Sequence, residues 1–277
     1  QYLGLGVLEV LDANTTAINF RLKMGAVEPS LIYGKVEENG SVNDDGANDD
    51  TNLYAINLSF DIQGWDSNVF YALADDDAAD TEAWGLGFYT SGKLGVVALT
   101  GELAFLGGDA GANVDYEGVQ FYLKGEGNLN DAFKVGAEFL YAQGADAGED
   151  QLTNLADFGD FTVVDTNAPC ATDVTIVADG PFDYTGDNAG VVAGTLFASY
   201  QATEQFSFGG KFSYLTPEED ENTNIDSTVS FSAWANYDLG SNTSFMVLYN
   251  LSSHDYDVDP ANEDDQGIFY ARFLINF

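Results

Sequence analysis

The sequence predicts an all-β protein: a single antiparallel transmembrane β-barrel of about fourteen strands over residues 1–277, with twelve or sixteen strands as alternatives. Three observations predict it: apolar and polar residues alternate along the chain, short and long connections alternate, and acidic residues concentrate in the long connections. Successive side chains of a strand point to opposite faces, so this alternation gives each strand one apolar face and one mixed face. No comparable helical periodicity competes with it.

Composition excludes several classes of protein. The chain has 46 acidic and 8 basic residues and a formal charge of -38, so it lacks the clustered cations that a nucleic-acid partner requires. Such a charge is also typical of disordered chains, but an aromatic content of 14% argues against disorder here. No apolar run reaches the roughly 18 residues of a transmembrane helix. Cys170 is the only cysteine, so no disulfide can form within the chain.

The predicted strands follow one another along the whole chain. Connections after even-numbered strands are short, as at 91–93 and 201–204, whereas most connections after odd-numbered strands are long and acidic. Short turns on one side and long loops on the other are typical of bacterial transmembrane barrels. The strands are predicted near 2–10, 15–24, 30–36, 52–62, 67–74, 82–90, 94–106, 117–126, 133–143, 190–200, 205–215, 227–238, 243–252 and 267–277, and the long connections include 37–51, 107–116, 144–189, 216–226 and 253–266.

Aromatic residues cluster at the short-turn ends of the predicted strands. Two interpretations are open: one of the two interfacial girdles of a membrane barrel, or ordinary core aromatics near turns. The residues are Trp65, Phe133, Phe206, Tyr237, Phe245 and Phe277.

The last predicted strand carries the most specific pattern. Phe269, Phe273, Ile275 and Phe277 share one face, and they resemble the C-terminal signal that Gram-negative outer-membrane barrels present to their assembly machinery. The strand–turn–strand at 237–249 resembles the corresponding segment of general porins. The chain therefore resembles the outer-membrane β-barrel and porin superfamily, although those porins have sixteen strands.

The resemblance implies a location and partners. We expect a barrel in the bacterial outer membrane, with periplasmic short turns and extracellular acidic loops. Its expected partners are outer-membrane lipid, lipopolysaccharide, the barrel assembly machinery and a second copy in a homo-oligomer.

Charged residues on the parity opposite the apolar face are predicted to line the pore. They either form a charged wall that tunes ion selectivity, or pair locally and fill the lumen. These residues are Arg21, Lys23, Asp61, Glu102, Lys124, Lys134, Glu138, Lys211 and Arg272.

Signals for chemistry are weak. His254 is the only histidine and stands beside Ser252, Ser253 and Asp255, whereas a catalytic triad is assembled from separated positions, so no enzyme is predicted. Neither 43–46 nor 255–260 fits a calcium loop. We expect no cofactor, with weak Ca²⁺ or Mg²⁺ binding at the acidic loops left open.

Two functions follow from these patterns. The first is a porin-like channel for passive diffusion of ions and small hydrophilic solutes, with a weak cation preference. The second is a non-conducting surface or scaffold barrel whose acidic loops bind a partner or divalent cations. The long connection 145–189 either folds into the lumen or lies over its mouth; its composition does not discriminate.

Overall fold

A computed structural model describes residues 2–5, 11–14, 16–38, 50–76, 80–111, 114–146, 149–151, 189–222, 225–240, 243–256 and 266–275. The described residues form strands and one short 3₁₀ turn, Asp220–Asn222. The strands are β1 (Tyr2–Leu5), β2 (Leu11–Asn14), β3 (Thr16–Arg21), β4 (Val27–Glu38), β5 (Asp50–Ile62), β6 (Trp65–Asp76), β7 (Thr81–Leu94), β8 (Val97–Gly111), β9 (Val114–Asn128), β10 (Phe133–Ala142), β11 (Glu149–Gln151), β12 (Val191–Gln201), β13 (Phe206–Thr216), β14 (Ile225–Gly240), β15 (Thr243–Tyr256) and β16 (Gln266–Ile275).

The main sheet is an antiparallel meander. Thirteen strands from β3 to β16 pair in chain order, and the short β11 lies parallel to β9 outside that path. The described pairings leave β3 and β16 as the two ends of the path. The all-β antiparallel prediction is confirmed. Among the described residues, no helix is long and apolar enough to cross a membrane.

The N-terminal region differs from the prediction. A first strand over 2–10 was expected, but β1 pairs with β2 as a separate two-stranded sheet, and Leu11–Asn14 is strand rather than connection. The register runs from Tyr2 opposite Asn14 to Leu5 opposite Leu11, so the first strand pairs locally within residues 2–14. Among the described residues, the path of the main sheet thus contains thirteen strands, against the fourteen predicted.

A second difference concerns residues 107–116, which were predicted as a long loop. β8 runs to Gly111 and β9 begins at Val114, so both strands extend through most of this segment. The register shifts between Asp109 and Gly111, and Gly108 and Gly111 have φ of 152° and 81°, where glycine is strongly favoured. The two glycines accommodate a β-bulge inside a ladder that continues through this segment.

The two faces of the sheet have inverted chemistry relative to a soluble sandwich. Large apolar side chains on alternate positions are exposed, as with Leu196 at 63% and Phe231 at 50%. The intervening positions are buried and include charged and hydroxyl side chains. We call these the exposed face and the buried face. An apolar face left open along so many strands is the surface that a lipid bilayer covers.

Aromatic side chains line the short-turn ends of the exposed face. Phe206, Tyr237, Phe245 and Phe273 are paired in register across four neighbouring strands. Phe133 and Phe208 flank Tyr200, with ring centroids 6.4 and 5.6 Å away. This arrangement has the form of the predicted interfacial girdle. Trp65, also in that prediction, covers Gly92 of β7, and Phe277 lies outside the described residues.

Candidate functional site

The buried face divides into two halves. The apolar half, on β4 to β8, is a cluster rich in alanine, and the polar half, on β9 to β15, carries buried charges, amides and hydroxyls. The apolar half consists of Ile32, Leu53, Ala55, Phe70, Ala72, Ala74, Ala83, Ala104 and Leu106. The polar half is defined by three rows of residues, each paired in register across β9, β10, β12, β13, β14 and β15. The upper row consists of Lys124, Glu138, Thr195, Ser213, Ser230 and Ser252, and the middle row of Glu126, Gly136, Phe197, Lys211, Ser232 and Asn250. The lower row, nearest the short turns, consists of Asn128, Lys134, Ser199, Gly209, Trp234 and Leu248.

An ion triad occupies the upper and middle rows. Glu138 lies between two lysines: its Oε1 is 3.1 Å from Lys124 Nζ and its Oε2 is 3.5 Å from Lys211 Nζ. The side chain of Glu138 is 0% exposed and that of Lys211 is 2% exposed. One carboxylate thus serves two ammonium groups where little water reaches them. Removing the carboxylate would leave buried cations without this compensation, which is strongly destabilising.

An aromatic ring borders the triad. Phe197 lies in register with Gly136 and Lys211, and Lys124 Nζ stands 5.6 Å from the centre of its ring, within the range of a cation–π contact. A Cβ on Gly136 would collide with this ring. Glycine is therefore needed at position 136 for Phe197 to lie flat across β10.

A hydroxyl and amide network continues the polar half toward β15. Asn250 Nδ2 donates to Ser230 Oγ at 2.9 Å and to Ser232 Oγ at 2.8 Å, and Ser252 Oγ donates to Asn250 Oδ1 at 3.0 Å. Thr195 Oγ1 donates to Ser213 Oγ at 2.9 Å. All these side chains are buried, and their mutual hydrogen bonds offset the cost of taking them out of water.

A second ion pair lies nearer the short turns. Lys134 Nζ is 2.9 Å from Glu126 Oε1, and the Lys134 side chain is 41% exposed. Solvent reaches this pair more readily than the Glu138 triad, where the most exposed side chain, Lys124, is 15% exposed. The triad and this pair both place opposite charges together.

The remaining predicted pore-lining residues are spread along the sheet. Arg21 ends β3 and is exposed, and Lys23 lies in the turn that follows. Asp61 stands at the end of β5, where its Oδ1 accepts a hydrogen bond of 3.2 Å from Gly64 N and so closes a turn. Glu102 is buried on β8, at the border between the two halves, and Arg272 is half-buried on β16.

Some of the site escaped the sequence-based reasoning. The alternation of Ser230 and Ser232 predicted only a polar face, and nothing in that pattern indicated that Asn250 would bridge the two serines from the next strand. The positions of Phe197 and Trp234 on the buried face were not predicted from the sequence either. The one usable signal was the presence of Gly136 and Gly209 inside strands, since an interior glycine often marks a close approach.

A clamp at the opposite end of the sheet ties three segments together. Glu218 accepts hydrogen bonds from Tyr141 Oη at 2.9 Å and from Gly144 N at 2.7 Å, and its own N donates to Ala189 O at 3.0 Å. Both ends of the long connection after β10 are therefore held by the β13–β14 connection. Partial desolvation raises the pKa of Glu219 above its ordinary value, and repulsion from neighbouring carboxylates, including Glu218, raises it further.

Other candidate groups contribute less. Within the described ranges, no group of three or more His, Cys, Asp or Glu side chains could hold a metal ion. His254 pairs through its backbone with Thr228, and its side chain lies outside the described part. Cys170 and residues 152–188 of the long connection lie outside it as well, as do 43–46 and Asp257 and Asp259.

Comparison with known structures identifies the fold. The chain superposes on OccK10 (OpdN) of Pseudomonas aeruginosa with a TM-score of 0.55 and 12% identity, covering 100% of this chain and 76% of that one. For OccK11 (OpdR) of the same organism the TM-score is 0.54 at 9% identity, with coverage of 98% and 73%. The outer-membrane channel DcaP of Acinetobacter baumannii gives 0.50 at 9% identity, with 93% and 84% covered.

The fold is that of the outer-membrane porins. The resemblance inferred from the sequence is confirmed at this level, while no protein-family model and no curated protein matches the sequence. Proteins of this fold cross the outer membrane with their strands, and the exposed apolar face provides the surface for such a crossing. The fold and this face together support the predicted location in the bacterial outer membrane.

Proposed function

We propose that the chain closes into an outer-membrane barrel and acts as a channel for passive diffusion of ions and small hydrophilic solutes. One observation carries the proposal: in a porin fold, the face opposite the lipid-compatible surface bears charges, amides and hydroxyls along β9 to β15. A polar interior wall lets hydrated solutes cross a membrane. Closure would bring β3 beside β16, the two ends of the sheet path.

The proposed channel prefers cations weakly. The formal charge of -38 and the runs of acids in the connections make the mouth negative. The lysines of the polar half oppose this negative potential only weakly, because each has an acidic partner. Lys124 and Lys211 both contact Glu138, and Lys134 is paired with Glu126.

A second candidate, a non-conducting scaffold barrel, is favoured by one observation. Side chains of the polar half at mid-strand, such as Lys211 and Ser213, are 2% and 1% exposed, so little water reaches them. A barrel with such an interior offers acidic loops as its functional surface, for a partner or for divalent cations.

Single-channel recording in planar bilayers separates the two candidates. We expect discrete conductance steps from the purified, folded protein. Folded barrels that give no steps at any salt concentration would refute the channel and leave the scaffold function.

Selectivity tests the acidic mouth. Replacing Asp44, Asp45, Asp49 and Asp50 by Asn should lower the cation preference in dilute salt and leave it unchanged in concentrated salt, because loop charges act over about one Debye length, 8 Å at physiological ionic strength. Asn48→Ser in the same connection is the control that keeps the charge. A reversal potential that does not respond to the four substitutions would exclude these acids as the source of the preference.

Assembly is proposed to use the final strand. Phe269, Phe273 and Ile275 are exposed on β16, at 70%, 57% and 47%. Phe273→Asp should block membrane insertion, because a charge would face lipid or the assembly machinery, whereas Phe273→Leu should be tolerated. Equal yields of membrane-embedded protein from both variants would contradict this role.

A further inference from the structure

A cavity of about 260 Å³ opens at the short-turn end of the polar half. Its wall takes Asn128, Lys134 and Ser199 from the lower row, with Ser207 and Asn236 one step nearer the turns. Trp234 lines the same space. The walls therefore come from β9, β10, β12, β13 and β14, which hold them in one register.

The cavity is built around an aromatic side chain. Trp234 is 8% exposed and lies across Gly209, where a Cβ would stand 2.7 Å from its Cε2 atom. The glycine lets the indole lie against the sheet and leaves space beside it. An indole held in this way presents an apolar surface next to polar groups, which suits a ligand that has both characters.

The lysine of the cavity is already paired. Lys134 brings a cation, but Glu126 holds it at 2.9 Å, and Asp131 contributes a carboxylate to the lining. A free anion would meet a compensated lysine and a nearby acid. The amides and hydroxyls of Asn128, Asn236 and the two serines offer both donors and acceptors without net charge.

We propose that this cavity is a binding site for a neutral, hydroxyl-rich solute of the size of one sugar ring. The volume lies below the range of about 300–1,000 Å³ typical of drug-sized ligands, which limits the occupant to a small molecule. The hydroxyls of a sugar match the amides and serines, and the apolar face of its ring packs on the indole of Trp234. The inference rests on the proposed channel function and specifies the class of solute that the channel would bind. Binding itself does not require conduction.

Titration calorimetry on the folded protein in detergent tests the site with three probes: glucose, glucuronate as the anion of similar size, and glutamine as a zwitterion. We expect saturable binding of glucose, with both other probes at least tenfold weaker. Asn236→Leu, which replaces an amide of the wall by an apolar side chain, should weaken glucose binding at least tenfold, and Asn128→Leu should do the same. Gln143→Leu, at the opposite end of the sheet, should leave binding unchanged.

A fluorescence measurement assigns the binding to Trp234. The double variant Trp65→Phe/Trp84→Phe leaves Trp234 as the only tryptophan of the three in the chain. Glucose should shift its emission with the same midpoint as the calorimetric titration. An unshifted emission, tighter binding of glucuronate or glutamine, or no binding of glucose by folded protein would each overturn the proposal. Conductance steps without glucose binding would refute this site and leave the channel function standing.

Discussion

The apolar and polar halves of the buried face are equally well covered but are stabilised differently. Leu53 and Ala72 in the apolar half are 0% exposed, and Lys211 and Ser213 in the polar half are 2% and 1% exposed. The apolar half is filled by alanines, by the larger aliphatic side chains Ile32, Leu53 and Leu106, and by one ring, Phe70, that lies over Gly87. Burial alone is favourable there. In the polar half burial is unfavourable unless every charge and hydroxyl has a partner, so its specificity depends on geometry.

The largest effect should come from breaking the triad. Glu138→Ala leaves Lys124 and Lys211 without their shared carboxylate, and we expect a loss of about 3–5 kcal/mol in the free energy of unfolding. The measurement is the guanidinium unfolding midpoint in detergent. Glu126→Ala, which breaks the exposed pair with Lys134, is the matched control and should cost at most about 1 kcal/mol.

A rescue experiment sharpens this comparison. The triple variant Glu138→Leu, Lys124→Met and Lys211→Met removes all three charges and should recover most of the lost stability, because apolar groups of similar volume often replace buried ion groups without cost. A triple variant as unstable as Glu138→Ala would show that the triad is not held by charge compensation.

The difference between the halves also explains how much of the structure could be predicted from the sequence. Alternation places each side chain on a face, and it correctly separated Leu58 and Phe231 from Glu138 and Lys211. Partners across the sheet depend on register, which a single strand does not reveal. For this reason Lys124, Lys211 and Glu138 were predicted to lie on one wall, with local pairing as one interpretation. That both lysines contact this one carboxylate was visible only in the paired strands.

Register also limited the strand prediction itself. Periodicity located β4 to β10 and β12 to β16 within a few residues, although the short turn predicted at 91–93 lies inside β7, which runs to Leu94. It could not tell that Tyr2–Leu5 would pair with Leu11–Asn14 instead of joining the main sheet. The bulge at Asp109 and Gly111 was missed for the same reason, since only the partner strand β9 shows that the ladder continues.

The next effect compares a glycine under a ring in each half. Gly87→Ala in the apolar half and Gly136→Ala in the polar half both place a methyl group inside an aromatic ring, Phe70 or Phe197. We expect each to cost about 1–3 kcal/mol through overpacking. Gly136→Ala should cost more, because its methyl group would also stand 2.8 Å from the backbone oxygen of Gly125, whereas the atoms nearest to a methyl group at position 87 all belong to the Phe70 ring. The midpoint of unfolding measures both.

Gly194 provides the control for these substitutions. It lies in β12, and a Cβ there would meet nothing within 4 Å. Gly194→Ala should therefore leave stability nearly unchanged. If it were as destabilising as Gly136→Ala, the loss would come from the strand backbone and not from the ring.

The smallest expected effect comes from removing one hydroxyl from the polar half or adding one to the apolar half. Ser213→Ala removes the acceptor of the 2.9 Å hydrogen bond from Thr195 and leaves that buried hydroxyl without this acceptor, while Ala72→Ser adds a hydroxyl where the neighbours are apolar. We expect each variant to lose about 1 kcal/mol, because both leave a buried polar group poorly satisfied. Thr195→Val combined with Ser213→Ala removes both partners of the bond and should recover part of the loss. The same unfolding midpoint measures all three variants. If the double variant were less stable than Ser213→Ala by a further 1 kcal/mol or more, the two hydroxyls would contribute independently, and the polar half would not depend on pairing in the way that its geometry indicates.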